Sequence, residues 1–244
     1  MGIRKRLADA VNVLLKPFGV RLVPAFDPNE KPWDKHFAQW LAEARRTGKD
    51  PNDIGDVSWA DDPLRVAIQE HYLPHVRPDS VVLELGPGSG RLTRHVIGRC
   101  REMILVDYSR LVCDWLREYL RGKGFFRVHL IDRPFLPMVP DGSVDLVLAN
   151  GVFEHVDMDE MLCFLEEFHR VLRPGGVVAF NFDNVMAAEA IPWQRRWRAG
   201  PSKRCIFRFY HPEAVRHLGE AAGFEILRLT TGTSRFAYIE IGKK

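Results

Sequence analysis

The chain has 244 residues, with 35 Lys plus Arg against 32 Asp plus Glu and a formal net charge of +3. That length suits one α/β domain with an appendage, and the near balance of charge favours no partner by itself. Cys100, Cys113, Cys163 and Cys205 are widely spaced with no C-x-x-C, which indicates neither a zinc ribbon nor a disulfide framework and makes a reduced, cytoplasmic setting the expectation. No apolar run is long enough for a membrane span. Arg4, Lys5 and Arg6 open the chain as a signal peptide would, but Asp9 and Asn12 interrupt the apolar stretch behind them and no small-residue cleavage site follows, so secretion is not expected.

In chain order, Ile3, Leu7, Val11, Leu14 and Leu15 recur at helical spacing before Lys16-Pro17. This predicts an amphipathic helix that docks on a protein surface or touches a membrane peripherally through its basic residues. Residues 20–32 read as an extended linker. Trp33, Phe37, Trp40 and Leu41 have helical spacing, residues 47–53 are turn-rich, and residues 62–73 read as a further helix. Residues 1–60 are therefore taken as a helical extension or cap and 61–244 as the main domain.

The main domain alternates strands with helices, as a doubly wound sheet does. Strands are predicted at 81–85, 103–106, 127–131, 144–149 and 177–182, and helices at 91–100, 109–121, 158–172 and 212–222. Residues 225–230 and 235–241 flank a glycine-containing turn and read as a terminal hairpin.

The most informative stretch is Val81-Val82-Leu83-Glu84-Leu85-Gly86-Pro87-Gly88-Ser89-Gly90. An apolar run fit for a buried parallel strand ends in alternating glycines, which allow a tight turn and close approach of a ligand to the backbone. A helix follows, and its unpaired N–H groups would lie beside that ligand. Glu84 inside the strand needs a cation or several donors, because an unpartnered buried carboxylate is costly. The spacing is G-x-G-x-G, not the dinucleotide fingerprint G-x-G-x-x-G.

Glu84 with Gly86, Gly88 and Gly90 resembles motif I of the class I S-adenosylmethionine-dependent methyltransferases, of the type 11/12 kind that acts on small molecules and glycans. The resemblance implies a Rossmann-like, mostly parallel seven-stranded sheet with an antiparallel C-terminal strand. It also implies that Glu84 and the glycines face the amino-acid and ribose parts of S-adenosylmethionine, and that S-adenosylhomocysteine is the product. Asp107, about 20 residues beyond the turn in Val106-Asp107-Tyr108-Ser109, suits the ribose hydroxyls; its other reading is an N-cap. By position Asp132 takes the adenine amino group, although Arg133 stands where a small residue is commoner, and Tyr108, Arg133 and Asn150 are the further cofactor contacts that the resemblance implies. Asn150-Gly151-Val152-Phe153-Glu154-His155 is similar to the family's loop after the fourth strand. His155 is either a general base toward a hydroxyl acceptor or a residue that orders the loop. Arg173-Pro174-Gly175-Gly176, after an amphipathic helix, matches a further family hallmark and ends that helix.

Trp193 to Tyr210 carries Arg195, Arg196, Arg198, Lys203, Arg204 and Arg208 among five aromatic residues, with no acid. It lies within a basic-aromatic insertion at 183–210. The pattern reads either as a solvated surface or as a cover for an anionic acceptor, with Arg195, Arg196, Arg198, Arg208 and Tyr210 as substrate contacts. The expected activity is methyl transfer to a small-molecule or glycan acceptor, at oxygen, with no metal. The alternatives are an RNA or protein methyltransferase and a non-catalytic subunit that binds S-adenosylmethionine. The glycine spacing and the Pro-Gly-Gly turn disfavour a nicotinamide dehydrogenase.

Overall fold

The computed structural model describes residues 32–50, 65–199, 207–232 and 235–244, and for residues 32 and 197–199 the backbone only. The expected N-terminal helix, and the expected linker over 20–32 up to residue 31, lie outside the described residues; Pro32 itself begins a helix. Residues from Trp33 to Lys244 form one compact unit.

That unit opens with α1 (Pro32–Thr47). Phe37 and Ala44 are buried on it, with Trp40 and Leu41 partly so, the stripe that 3.6-residue periodicity produces. The segment predicted as a helix at 62–73 is described from residue 65. It is one α-helical turn, then a π-helical turn Ile68–Tyr72 and a 3-10 turn Leu73–His75. His71 Nδ1 and His75 Nε2 lie 3.0 and 2.9 Å from the two oxygens of buried Glu240, so one carboxylate holds both ends of this irregular stretch.

The sheet comprises β1 (Val81–Leu85), β2 (Glu102–Asp107), β3 (Phe126–Leu130), β4 (Val144–Ala149), β5 (Leu172–Asn184), β6 (Phe209–Tyr210), β7 (Phe224–Thr231) and β8 (Phe236–Lys243). The strand order is β3-β2-β1-β4-β5-β8-β7, with β6 paired to β5. Strands β1 to β6 pair in parallel, and β8 runs antiparallel between β5 and β7. The sheet thus has eight strands where seven were expected. The extra one is the two-residue β6, formed where the basic-aromatic segment returns to the carboxyl end of β5.

Helices α2 (Thr93–Val96), α3 (Arg110–Tyr119), α4 (Met158–Val171), α5 (Ala190–Ala199) and α6 (Pro212–Ala221) complete the fold. The helix predicted over 91–100 is short because the backbone leaves helical geometry at Ile97 (ψ 135°) and takes a left-handed turn at Gly98 (φ 81°). All five residues of β1 are buried; complete burial of a side chain such as Leu83 contributes about 1.5–3 kcal/mol. Two apolar clusters cover the two faces of the sheet, one under α4 and α6 and one under α1 and α3.

The Pro-Gly-Gly turn is a bulge inside β5. Val144 of β4 pairs with Leu172, but Leu146 already pairs with Val177. Gly176 sits there without a Cβ because one would come within 2.8 Å of Leu172 Cδ2 and 2.9 Å of the Arg173 carbonyl.

Candidate active site

The sheet order reverses between β1 and β4, and in open α/β sheets ligands bind beside the carboxyl ends of strands at such a switch point. The glycine turn leaves β1 at that place. Gly86, Gly88 and Gly90 all have positive φ (63°, 54° and 95°), and each does a different job. A Cβ on Gly86 would lie 2.5 Å from Val152 Cγ2, so this glycine lets the turn pack against the loop after β4. A Cβ on Gly90 would press on the Tyr119 ring at 3.2 Å, while one on Gly88 would meet no described atom within 4 Å. Gly88 therefore presents open backbone, as a cofactor cradle requires.

Two buried carboxyls flank the turn. Glu84 accepts the Thr93 hydroxyl at 2.8 Å, and burial pushes its pKa to about 8 against that hydrogen bond, with Asp107 raising it further. Asp107, at the end of β2, accepts the Ser109 N–H at 2.7 Å. Burial raises its pKa to about 7 while backbone donors at Ser109 and Gly88 pull it down. The N-cap of α3 is Ser109, whose Oγ accepts the Val112 N–H at 3.1 Å, so the Asp107 carboxyl is not the group that caps the helix. Tyr108 is tied to Glu160 at 2.9 Å, and burial raises its hydroxyl pKa. Asp132 and Arg133 stand exposed just past β3, Arg133 over the Phe135 ring.

Sequence reading missed the residues that hold this turn in place. Trp115 Nε1 donates to the Ser89 carbonyl at 3.1 Å. On α1, Asp34 Oδ1 accepts both the Ser109 hydroxyl (2.6 Å) and the Leu111 N–H (3.0 Å). Trp33, beside it, meets the His155 ring edge-on at 4.9 Å between centroids. One turn of α1 thus spans from the loop after β2 to the loop after β4. Thr93 was within reach of sequence reasoning, since a hydroxyl in the first helical turn after a glycine loop can meet a strand acid. Asp34 carried no local signal.

In the loop after β4, Asn150 accepts the Tyr72 hydroxyl at 3.1 Å. His155 is half-buried between Trp33 and Phe207, the latter at 4.7 Å. Arg208 and Tyr210 donate to the backbone carbonyls of His155 and Val156, and Arg208 lies 3.8 Å from Asp157. These two residues shape the His155 loop from outside. Arg195 and Arg196 are exposed on α5; the Arg198 side chain lies outside the described residues.

A cavity of about 260 Å³ lined by Asn184, Met186, Ala187, Pro212, Thr231 and Gly232 includes no glycine-turn residue. Among the described residues no group of three or more His, Cys, Asp or Glu is placed to hold a metal ion, and no helix is long and apolar enough to cross a membrane.

Residues 83–180 match the family model described as "Methyltransferase domain". Over 110 residues the chain is 31% identical to the ubiquinone/menaquinone biosynthesis C-methyltransferase UbiE of Legionella pneumophila, covering 43% of each chain. Over 101 residues it is 30% identical to the malonyl-[acyl-carrier protein] O-methyltransferase of Yersinia pestis, covering 41% of this chain and 36% of that one. The matches thus span less than half the length of these relatives. Among solved structures, the DhpI–SAH complex superposes with a TM-score of 0.60 at 21% identity, covering 86% of this chain and 95% of that one. Over residues 83–180, which hold the glycine turn and the strands around it, the chain is thus similar to methyltransferase domains.

Proposed function

We propose that this protein transfers the methyl group of S-adenosylmethionine to an oxygen of a small-molecule or glycan acceptor with an anionic portion, in a cytoplasmic setting. The observation that carries the cofactor reading is the open backbone at Gly88 between two buried carboxyls, Glu84 and Asp107. S-adenosylmethionine supplies a methyl on a sulfonium centre, whose departure as a neutral thioether needs no metal. The residues of this chain then have three tasks: to hold the cofactor, to exclude water, and to bring an acceptor oxygen into line and take its proton. In this reading Asp107 accepts hydrogen bonds from ribose hydroxyls, and Glu84 balances the ammonium end through the turn. Asp132 and Asn150 bound the adenine side and the methyl side.

His155 is the proposed base, and Trp33 with Phe207 keeps its surroundings dry. Arg195 and Arg196, on the helix beside this loop, meet the anionic portion of the acceptor, and Arg198 is assigned to it from the sequence alone. Incubating the protein and label-bearing S-adenosylmethionine with a cell lysate, then separating RNA, protein, lipid-glycan and small-molecule fractions, tests this reading. Label is expected in the small-molecule or glycan fraction and lost with His155→Ala. Label confined to RNA or protein contradicts the acceptor class, and full labelling by His155→Ala removes that residue from proton transfer.

A further inference from the structure

Buried polar atoms without partners are rare in folded proteins, and each requires an explanation. Two such donors occur toward the carboxyl end of β5, one on the strand and one beside its Asp183. Asn181 is fully buried; its Oδ1 accepts the Gly151 N–H at 2.8 Å, and its Nδ2 has no hydrogen-bond partner among the described residues. Asp183, two residues on and so on the same face of the strand, is also buried, 3.2 Å from Arg235 Nε. The Arg235 side chain is 7% exposed, and its Nη1 likewise has no hydrogen-bond partner among the described residues.

These donors adjoin the proposed point of methyl delivery. Asn181 holds the loop that carries His155, through Gly151. The Arg235 guanidinium lies 3.7 Å from the centre of the Trp193 ring and 5.5 Å from that of Phe207, whose ring adjoins His155. Asp183 already balances the charge of Arg235, and the carboxyl of Glu154, 2% exposed, belongs to the same loop. A further anion would meet both carboxylates, whereas an uncharged oxygen would satisfy the donors without that repulsion. The rings of Trp193, Phe207 and His155 suit a flat or ring-shaped group.

We propose that Asn181 Nδ2 and Arg235 Nη1 form the inner end of the acceptor site and take uncharged hydroxyl or carbonyl oxygens of a ring, aryl or sugar. Exposed Arg195 and Arg196 meet any anionic portion at the rim. The proposal rests on the methyltransferase reading and refines it: charge is read at the mouth, and neutral oxygen at the floor.

The test titrates the protein, saturated with S-adenosylhomocysteine, with catechol, with methyl glucoside and with benzoate, followed by ligand-observed NMR. Wild type is compared with Asn181→Asp, which keeps the oxygen that holds Gly151 but removes the donor. Arg235→Lys keeps the charge beside Asp183 but removes the fork. Catechol or methyl glucoside is expected to bind wild type and to weaken about tenfold or more in both variants, with S-adenosylhomocysteine affinity held within about twofold. Which of the two binds distinguishes an aryl from a sugar acceptor.

Three results overturn the proposal: neither neutral probe binds wild type, binding survives both substitutions, or benzoate depends on both residues as the neutral probes do. If Arg235→Lys does not fold, Asn181→Asp decides; if Asn181→Asp does not fold, Asn181→Ser replaces it and is expected to weaken binding in the same direction. Wild type that fails to bind S-adenosylhomocysteine, measured before any probe is added, defeats the methyltransferase reading and not the subsite.

Discussion

Glu84 and Asp107 are carboxyls whose burial raises their pKa to about 8 and about 7. In the unfolded chain both would ionise in the ordinary carboxylate range, so between that range and about pH 8 the native state holds more protons than the unfolded state. These two groups therefore make the ligand-free protein less stable as pH rises across that window, with no further change above it. Ribose hydroxyls and a ligand ammonium favour the ionised carboxylates, so binding should expel protons on the acid side. S-adenosylhomocysteine is expected to bind more tightly at about pH 8 than at about pH 6, with proton release at the lower value. Calorimetry in two buffers of different ionisation enthalpy reads this directly, and proton uptake would contradict it. The glycines separate packing from binding. Gly86→Ala, which meets Val152 at 2.5 Å, should cost about 1–3 kcal/mol of stability from overpacking in addition to left-handed strain of about 1–2 kcal/mol. Gly88→Ala, with open space beside it, should pay chiefly about 1–2 kcal/mol of left-handed strain and show a larger loss of S-adenosylhomocysteine affinity than Gly86→Ala. Chemical denaturation and titration of both variants compare the two, and equal loss of affinity would remove Gly88 from the cradle.

The α1 helix is joined to the loop after β2 through its first turn. Asp34 satisfies Leu111 N–H at the start of α3 and the hydroxyl of Ser109, two residues from Asp107. Asp34→Ala leaves both donors to water and should cost about 1 kcal/mol, as loss of a capping oxygen does. A lowered denaturation midpoint with an unchanged slope is the expected result, and an unchanged midpoint would show that the contact contributes nothing. Element by element, the bounds of β1 and β4 were legible because each is an apolar run broken by a single acid, Glu84 or Asp145, with turn residues beyond it. β5 runs further than its apolar stretch because it continues through Asn181, Asp183 and Asn184, polar residues that are buried. Hydrophobic patterning cannot anticipate a buried polar strand end. α2 stopped early at Gly98, whose left-handed φ no periodicity reveals.

For the whole molecule, the arrangement around the glycine turn was legible and the arrangement at the end of β5 was not. Glu84, the three glycines and Asp107 lie within one strand-turn-helix-strand unit, so short spacings brought them together on the page as they are in space. Asp34 with Ser109, Tyr72 with Asn150 and Asp183 with Arg235 are joined only by folding. Arg235 therefore went unnoticed beside a segment rich in more conspicuous arginines. The central claim is that Asp107 and the glycine turn form one site for S-adenosylmethionine and its product. Calorimetric titration with S-adenosylhomocysteine tests it most directly, comparing wild type with Asp107→Ala after thermal melting has shown that the variant folds. The expected result is one ligand per chain in wild type and an affinity loss of about 1.5–3 kcal/mol in the variant, roughly tenfold to a hundredfold. Unchanged affinity in Asp107→Ala would contradict the assignment.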